Sequence, residues 1–232
     1  MRKEKVQRSG LNSHKKMSFD YLPETTIEIK QRKDMFRMNS DTHFLGKFMD
    51  VKNDETVLDI GCNNGALLLY ASEFKPTKLV GVDYFKEAIE LAKENFEHNH
   101  LNAELYCSKI QDFNYDAFDV ILCNPPFFKC DEKSNVNESE YLRIARHEEM
   151  LTLDELFHHV SRLLNENGRF YLVHRSTRLT EIVEIAIRYG FKIKRMRQVF
   201  DQNKEHSTSS LFEIIKGKNN QVLVEKPIFL ER

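Results

Sequence analysis

An apolar run that ends abruptly in two prolines constrains the fold of this chain more than any other feature. Residues 119–127 read Asp-Val-Ile-Leu-Cys-Asn-Pro-Pro-Phe, and the first five have the composition of a buried β-strand. A proline has no backbone N–H and keeps the preceding residue out of the helical region. The chain is therefore expected to leave the sheet at Asn124 in a rigid, extended form with unpaired backbone carbonyls.

This ending is suited to binding a planar group that carries an NH2 group. The Asn124 side-chain oxygen and the Pro125 carbonyl can accept two amine hydrogens, and the Phe127 ring can stack on a planar face. The exocyclic amine of an adenine has these requirements. We interpret Asn124, Pro125, Pro126 and Phe127 as a catalytic loop. The alternative is a stiff turn after a buried strand.

A glycine-rich turn lies upstream of that loop. Residues 56–60 predict a buried strand and 66–73 a helix, with Gly-Cys-Asn-Asn-Gly between them. Gly61 and Gly65 permit positive φ and close approach of a ligand, and the start of the helix offers free N–H groups. Because the spacing is Gly-x-x-x-Gly, not the Gly-x-Gly-x-x-Gly of dinucleotide sites, a pyrophosphate is not the expected ligand.

An acidic residue ends the next predicted strand, residues 78–82. Asp83 follows the glycine turn by about twenty residues, the separation at which a carboxylate binds a ribose diol in Rossmann-like proteins. The turn and Asp83 together favour a nucleoside-type cofactor over a purely structural turn.

These motifs together resemble the class I S-adenosylmethionine-dependent methyltransferases that methylate amino groups. Residues 31–42, Gln-Arg-Lys-Asp-Met-Phe-Arg-Met-Asn-Ser-Asp-Thr, and residues 145–148, Ala-Arg-His-Glu, resemble the flanking blocks of one bacterial family. That family N6-methylates the adenine beside the anticodon of a valine tRNA. The resemblance runs from about residue 31 to the C-terminus.

The resemblance implies a fold, a cofactor and a substrate. The implied fold is the α/β, Rossmann-like class I methyltransferase fold, with a mostly parallel seven-stranded sheet and helices on both faces. The cofactor is S-adenosylmethionine, the substrate is tRNA, and adenine N6 attacks the methyl carbon. Phe127 and Arg146 are the implied substrate contacts. The implied cofactor-binding residues are Asp59, Gly61, Asn63, Gly65, Asp83, Lys109, Ile110 and Asn124.

One position departs from the pattern of such enzymes. They usually carry an acidic residue before an apolar one at the end of the third strand, where this chain has Ser108-Lys109-Ile110. A lysine cannot accept a hydrogen bond from the adenine amine of the cofactor. The backbone of Lys109 and Ile110 can still bracket that adenine, and either Ser108 or Asp112 is the acceptor.

The composition indicates one soluble globular domain, and no second catalytic domain is expected. The chain has 232 residues, 41% hydrophobic and 31% charged, which suffices for one full core. Its apolar runs are too short for a membrane span, and no apolar segment follows the charged start. We therefore expect a cytoplasmic protein, and we expect a monomer.

The four cysteines lack Cys-x-x-Cys spacing and are expected to be reduced packing residues, with no metal. A metal site using Cys130 and His147 is the disfavoured alternative.

The net charge of −1 conceals an uneven distribution. We expect residues 1–30 to form a basic arm and a segment leading into the methyltransferase domain, residues 31–232. The arm is either a tRNA contact or a disordered, solubilising tail. A second basic cluster, on the strand predicted at 191–200, is a weaker candidate for RNA contact. The basic residues of the two clusters are Arg2, Lys3, Lys5, Arg8, Lys15 and Lys16, and then Lys192, Lys194, Arg195 and Arg197.

The second half of the chain continues the predicted alternation of strands and helices. The capping-box pattern at residues 152–155 predicts a helix that ends at Asn167-Gly168. The last strands are predicted at 191–200, 211–216 and 222–226, antiparallel around turns. The polar segment 128–150 predicts either a lid or a plain connection. In a lid, Arg146 would bind a phosphate and His147 a phosphate or base, although an ordinary exposed histidine is the preferred interpretation of His147.

Other functions share these motifs. A planar glutamine amide of a release factor or ribosomal protein would fit the same acceptors, although such relatives usually have Tyr at the position of Phe127. N2-methylation of guanine in ribosomal RNA is a further alternative, whereas DNA methylation is disfavoured because no target-recognition domain is present. A non-catalytic RNA-binding factor could retain the pocket, but the intact Asn-Pro-Pro-Phe argues against this.

Overall fold

A mixed β-sheet with helices on both faces runs through the molecule. The computed structural model describes residues 17–125, 151–217 and 221–230. The strands are β1 (Met17–Tyr21), β2 (Glu28–Arg32), β3 (Thr56–Ile60), β4 (Lys78–Asp83), β5 (Glu104–Cys107), β6 (Phe118–Cys123), β7 (Leu164–Arg175), β8 (Phe191–Asp201), β9 (Ser207–Lys216), β10 (Leu223–Val224) and β11 (Ile228–Leu230). The helices are α1 (Ser40–Phe48), α2 (Ala66–Ser72), α3 (Lys86–His98), α4 (Leu153–Leu163) and α5 (Leu179–Arg188), with a 3-10 turn at Ser176–Arg178 before α5.

The strand order confirms the predicted Rossmann-like, mostly parallel class. The main sheet has the order β10-β8-β9-β7-β6-β3-β4-β5, and β11 also pairs with β8. Only β9 runs antiparallel to its neighbours, β7 and β8; the other pairs in the described sheet are parallel. Because β3, β4 and β6 are parallel, their carboxyl ends meet at one edge, where ligands bind in such sheets.

The sheet has nine strands, not the predicted seven. The strand expected at 222–226 was predicted to be antiparallel, but β10 and β11 both run parallel to β8. β7 and β8 flank β9 on both sides, so the chain after β9 cannot pair with β9 and instead pairs with the edge of β8 beside it. The pair Lys216 and Phe191 puts the end of β9 beside the start of β8. A chain that turns there and follows β8 runs parallel to it, as β10 and β11 do.

The central strands β3 and β6 divide the core into two layers. Val57 and Val120 pack with α1, α2 and α3 on one face of the sheet. Leu58 and Ile121 pack with α4 and α5 on the other. This alternation within fully buried strands is typical of a parallel sheet that is covered on both faces. In the described residues no helix is both long enough and apolar enough to cross a membrane.

A β-hairpin that the sequence did not predict precedes α1. Strands β1 and β2 pair with each other outside the main sheet. Asn95 in α3 and Asn99, which caps its C-terminus, hold β2 against that helix. Asn95 Oδ1 accepts from the Lys30 N–H at 2.7 Å, and Asn99 Oδ1 accepts from the Glu28 N–H at 3.1 Å. The expected boundary between residues 30 and 31 therefore falls inside β2, which these hydrogen bonds tie to α3.

The predicted capping box of α4 is confirmed, but the helix ends earlier than expected. Glu155 N–H donates to the Thr152 hydroxyl at 3.2 Å, and the Glu155 carboxylate accepts from the Thr152 N–H at 2.9 Å. The helix stops at Leu163 because Leu164 is buried and already pairs with Phe118 of β6. Asn167-Gly168 instead lies in the part of β7 where the strand register shifts.

The basic residues of β8 form an internal network. The buried Glu213 carboxylate accepts from Lys194 Nζ at 2.8 Å and from Arg195 Nε at 2.7 Å. The Arg195 guanidinium also pairs with Glu225 at 2.9 Å and lies 4.1 Å from the centre of the Phe48 ring. Lys194 and Arg195 therefore have a structural role, and the RNA contact expected of this cluster stays a prediction.

Replacing Arg195 with methionine should lower the free energy of unfolding by roughly 2–3 kcal/mol at neutral pH, because a buried carboxylate loses part of its compensation. The cationic partners hold the pKa of Glu213 below its usual value. Their stabilisation is therefore present above the unfolded pKa of about 4.3, and the loss should shrink as the pH falls below that value. Urea unfolding at several pH values measures both effects.

The matched control is Arg197→Met on the same strand. The Arg197 side chain donates to the Lys226 carbonyl at 2.8 Å, and its loss should cost no more than about 1 kcal/mol. Equal losses for the two variants would contradict the structural role assigned to Arg195.

Candidate active site

The glycine turn bends sharply between β3 and α2. Gly61, Asn63 and Gly65 all have positive φ, at 73°, 46° and 83°. A side chain at Gly65 would meet the Phe96 ring at 3.2 Å, so packing as well as conformation requires glycine there. The N–H groups of Gly61 and Cys62 both donate to the Val82 carbonyl. The turn is thereby fixed against β4.

Asp83, at the end of β4, braces this turn. One carboxylate oxygen accepts from the Asn63 N–H at 2.9 Å, and the other accepts from the Phe85 N–H at 2.9 Å. Burial raises the pKa of Asp83, and these N–H groups partly oppose the rise. Each carboxylate oxygen has further lone pairs. The predicted contact with a ribose diol is therefore compatible with the bracing role that the structure shows.

A buried acceptor and a buried donor without partners line the same cavity beside the turn. Asp59 is 1% exposed and Asn64 is 2% exposed. Neither Asp59 Oδ1 nor Asn64 Nδ2 has a hydrogen-bond partner among the described residues. Buried polar atoms are normally satisfied, so both point to a ligand. An acceptor with negative charge and a neutral donor are complementary to a zwitterionic ligand with an ammonium and a carboxylate group.

Burial and the nearby Asp83 carboxylate raise the pKa of Asp59 well above its usual value. Burial, together with the carboxylates of Asp83 and Asp59, also raises the pKa of the Cys62 thiol. Negative charge on Asp59 is therefore unfavourable, and a positively charged group would relieve this cost.

Three segments that are distant in sequence meet at this cavity of about 40 Å³. Phe36, Met38 and Thr42 come from the segment that leads into α1 and from its first turn, and Asn124 comes from the end of β6. Asn63 Nδ2 donates to the Phe36 carbonyl at 2.8 Å, which ties that leading segment to the glycine turn. The structure thus brings the block 31–42, the turn and the start of the Asn-Pro-Pro-Phe loop into one site.

The Asn-Pro-Pro-Phe loop is described only at its beginning. Asn124 is half-buried and donates through Nδ2 to the Thr42 hydroxyl at 3.0 Å, and Pro125 is buried. Pro126 and Phe127 lie outside the described residues. The same holds for the segment that contains Cys130, Arg146 and His147, and the roles expected of these residues stay predictions.

The end of β5 lies beside Asp83, as expected for a cofactor site. The Ser108 N–H donates to the Asp83 carbonyl at 2.9 Å. The Ser108 hydroxyl donates to the Lys109 carbonyl at 2.9 Å, and the Ile110 carbonyl accepts from Arg162 at 3.1 Å. The carbonyls of Lys109 and Ile110 are therefore engaged within the protein. Bracketing of an adenine would fall to the Ile110 side chain and the N–H groups, and the acceptor stays open between Ser108 and Asp112.

Several site residues were not predicted from the sequence. Tyr84 is 46% exposed directly after Asp83, and Lys109 Nζ lies 5.6 Å from the centre of its ring. An exposed aromatic residue next to Asp83, the residue predicted to bind the ribose, was a signal from which Tyr84 could have been assigned to the site. Asn64 and Thr42 gave no such signal, because their positions in the site depend on the tertiary structure.

Two of the three described cysteines pack in the core as expected. Cys62 and Cys123 are buried, whereas Cys107 is exposed at the end of β5. No group of three or more His, Cys, Asp or Glu side chains within residues 17–125, 151–217 and 221–230 is arranged to hold a metal ion.

The fold and the site together define a methyltransferase. The sequence profile of the Methyltransferase small domain family matches residues 27–216, and the chain belongs to this family.

Among individual relatives, the chain is similar to the tRNA1(Val) (adenine(37)-N6)-methyltransferase of Dyadobacter fermentans. The two are 28% identical over 207 residues, which cover 87% of this chain and 85% of the relative. It is 29% identical to the protein of the same name from Vibrio vulnificus strain YJ016, over 76% of this chain and 74% of the relative.

Solved structures share the fold at lower identity. The ribosomal protein L11 methylase of Lactobacillus delbrueckii subsp. bulgaricus superimposes with a TM-score of 0.56 at 19% identity, over 77% of this chain and 78% of that chain. SMU.776, solved as a complex with SAH, superimposes with a TM-score of 0.62 at 16% identity, over 81% of this chain and 53% of that chain.

Replacing Asp59 with asparagine should stabilise the ligand-free protein at neutral pH by roughly 1–3 kcal/mol, since a buried charge without a partner is removed. The raised pKa means that the folded state binds more protons than the unfolded chain above about pH 3.9, so wild-type stability falls as the pH rises. The advantage of the variant should therefore grow with pH.

Thermal unfolding of both ligand-free proteins between about pH 4.5 and 8 measures this difference. Asp112→Asn, at an exposed carboxylate, is the control and should show no comparable gain. An Asp59→Asn melting temperature that tracks the wild type at every pH would contradict the prediction.

Proposed function

We propose that this protein is an S-adenosylmethionine-dependent N6-methyltransferase that acts on an adenine in tRNA. The proposed target is adenine 37, beside the anticodon, of a valine tRNA. One observation carries the proposal: Asn124 and the glycine turn line one cavity. Relatives that are named as enzymes of this activity align over 76% to 87% of the chain, which supports it.

The residues of the site fit the proposed cofactor. Asp59 Oδ1 and Asn64 Nδ2 are buried, have no partner among the described residues and belong to residues that line the cavity. They are complementary to the ammonium and carboxylate of its methionine part. Asp83 would bind the ribose, with Gly61, Asn63 and Gly65 providing the close approach. Lys109 and Ile110 would bracket the adenine. S-adenosylmethionine supplies a methyl group that its sulfonium has already activated.

The protein's part in the reaction is to orient the attacking amine. An aromatic amine has its lone pair delocalised into the ring, so it is a weak nucleophile. If the Asn124 oxygen and the Pro125 carbonyl each accept one N6 hydrogen, the nitrogen becomes pyramidal and its lone pair points at the methyl carbon. The N6–CH3 bond would form as the S–CH3 bond breaks, S-adenosylhomocysteine would leave with the electron pair of that bond, and the methylated nitrogen would lose one proton to solvent. Orientation and electrostatics then supply most of the rate. No strong general base is required.

The substrate base must leave the anticodon loop to reach this pocket. Phe127 would stack on its face and Arg146 would bind a phosphate. The basic arm, residues 1–16, would add backbone contacts, because lysine and arginine side chains neutralise RNA phosphates. The proposal includes a monomeric, cytoplasmic protein with the basic arm, residues 1–16, preceding the methyltransferase domain, and light scattering of the purified protein tests the oligomeric state.

Methyl transfer from labelled S-adenosylmethionine tests the proposed substrate. The substrates are a valine tRNA transcript with adenine at position 37, the same transcript with guanine there, total ribosomal RNA and a release factor. Labelling only of the adenine-containing tRNA is expected. Labelling of the release factor would instead establish glutamine methylation, labelling of ribosomal RNA would establish the guanine alternative, and no labelling would leave the RNA-binding factor.

Replacing Asn124 with alanine should reduce turnover on tRNA below about 1% of wild type, because the substrate amine loses a transition-state acceptor. The affinity for S-adenosylmethionine should stay within a few-fold of wild type in calorimetry. Asn165→Ala is the matched control, since Asn165 Nδ2 donates to Asp119 Oδ1 at the opposite end of β6. Near-normal turnover by Asn124→Ala would refute the mechanism.

Replacing Asp83 with asparagine should weaken S-adenosylmethionine binding by about 1–3 kcal/mol, the range for losing a charge-assisted hydrogen bond to a ligand hydroxyl. Calorimetric titration measures the change, with circular dichroism to check the fold. Asp112→Ala, titrated in parallel, tests which residue accepts from the adenine amine of the cofactor, because a comparable loss would identify Asp112 and not Ser108. An unchanged dissociation constant for Asp83→Asn would remove Asp83 from the cofactor site.

A further inference from the structure

Thr42 is the last residue of the block 31–42, and the sequence indicated no role in the reaction for it. In the structure it contacts Asn124 directly. It sits in the first turn of α1 and is 6% exposed. Its hydroxyl oxygen lies 3.0 Å from Asn124 Nδ2. The two residues are far apart in sequence, so this contact exists only because α1 packs beside the carboxyl end of β6.

A backbone amide fixes the direction of the hydrogen bonds that link Asn39, Thr42 and Asn124. Asn39 caps α1, and its Oδ1 accepts from the Thr42 backbone N–H at 3.0 Å. A backbone N–H can only donate, so the oxygen of Asn39 must face Thr42. The same oxygen lies 3.1 Å from the Thr42 hydroxyl, and it can only accept, so the hydroxyl donates its proton there.

The Thr42 hydroxyl then has only lone pairs left for Asn124. Asn124 must meet it with the NH2 edge of its amide, as observed. The opposite edge, which carries Oδ1, therefore faces away from Thr42. A rotated amide would place two acceptors against each other at Thr42 and would present an NH2 group to the substrate amine.

We propose that Thr42 is a positioning residue that fixes the Asn124 amide with its oxygen available to the substrate amine. Asn39 acts through Thr42, so the cap of α1 sets the orientation of a catalytic side chain. This inference rests on the proposed function, in which Asn124 Oδ1 accepts a hydrogen from adenine N6.

The test compares Thr42→Val, which has nearly the same shape and no hydroxyl, with Thr42→Ser, which keeps the hydroxyl. Steady-state methylation of tRNA should show that Thr42→Val lowers kcat about tenfold, the effect of losing one hydrogen bond in the transition state. Thr42→Ser should recover most of that loss. The KM for tRNA, the affinity for S-adenosylmethionine and the melting temperature should change little. Thr77→Val is the matched control, because the Thr77 hydroxyl donates to the Glu55 carbonyl at the opposite edge of the sheet.

A second background separates orientation from general packing. Asn124→Asp presents an oxygen at both edges of its side chain, so its orientation no longer matters. In that background the further change Thr42→Val should leave kcat unchanged or raise it. A tenfold loss in both backgrounds would show that Thr42 acts through packing and would overturn the proposal.

The remaining outcomes are also decisive. If Thr42→Val does not fold, Thr42→Ala makes the same deletion without a β-branched side chain in α1, and it should show the same loss of kcat. A wild-type protein that methylates tRNA, with Thr42→Val equal to it, would overturn the positioning role alone. A wild-type protein that transfers no methyl group to tRNA would instead refute the proposed function.

Discussion

The site depends on one buried carboxylate that accepts hydrogen bonds from two loops. Asp83 binds the backbone N–H of Asn63 in the glycine turn and that of Phe85 at the start of α3. The turn also donates to the Val82 carbonyl on the same strand. These contacts fix the ends of β3 and β4 relative to each other. The glycines permit the shape of the turn, and Asp83 selects that shape from the many that glycine allows.

This arrangement is costly to the protein without its ligand. Asp59 and Asp83 are both buried, and both have a raised pKa. Sites that bind charged ligands often store such unfavourable energy, because the ligand supplies the missing charge. A carboxylate outside the site, that of Glu213, has a different environment. Glu213 is also buried, but two cations of β8 compensate its charge, whereas Asp59 Oδ1 has no partner among the described residues.

The sequence predicted those parts of the molecule that local chemistry determines. The glycine turn, the strand ending at Asn124 and the capping box of α4 each depend on neighbouring residues, and all three were found. The sequence failed where tertiary contacts decide. The parallel direction of β10 follows from the occupied neighbours of β9. The internal use of Arg195 follows from Glu213 and Glu225. Thr42 reaches Asn124 only through the packing of α1, and no spacing in the sequence records that distance.

The two short strands at the end of the described chain have a consequence for solubility. A long strand at the edge of a sheet offers unpaired N–H and C=O groups to other molecules and promotes association. β8 has eleven residues and would be such an edge. β10 and β11 cover it with strands of two and three residues, and Pro227 between them has no N–H to donate. β10 and β11 thus occupy the edge of β8 and prevent this long strand from pairing with a strand of a second polypeptide.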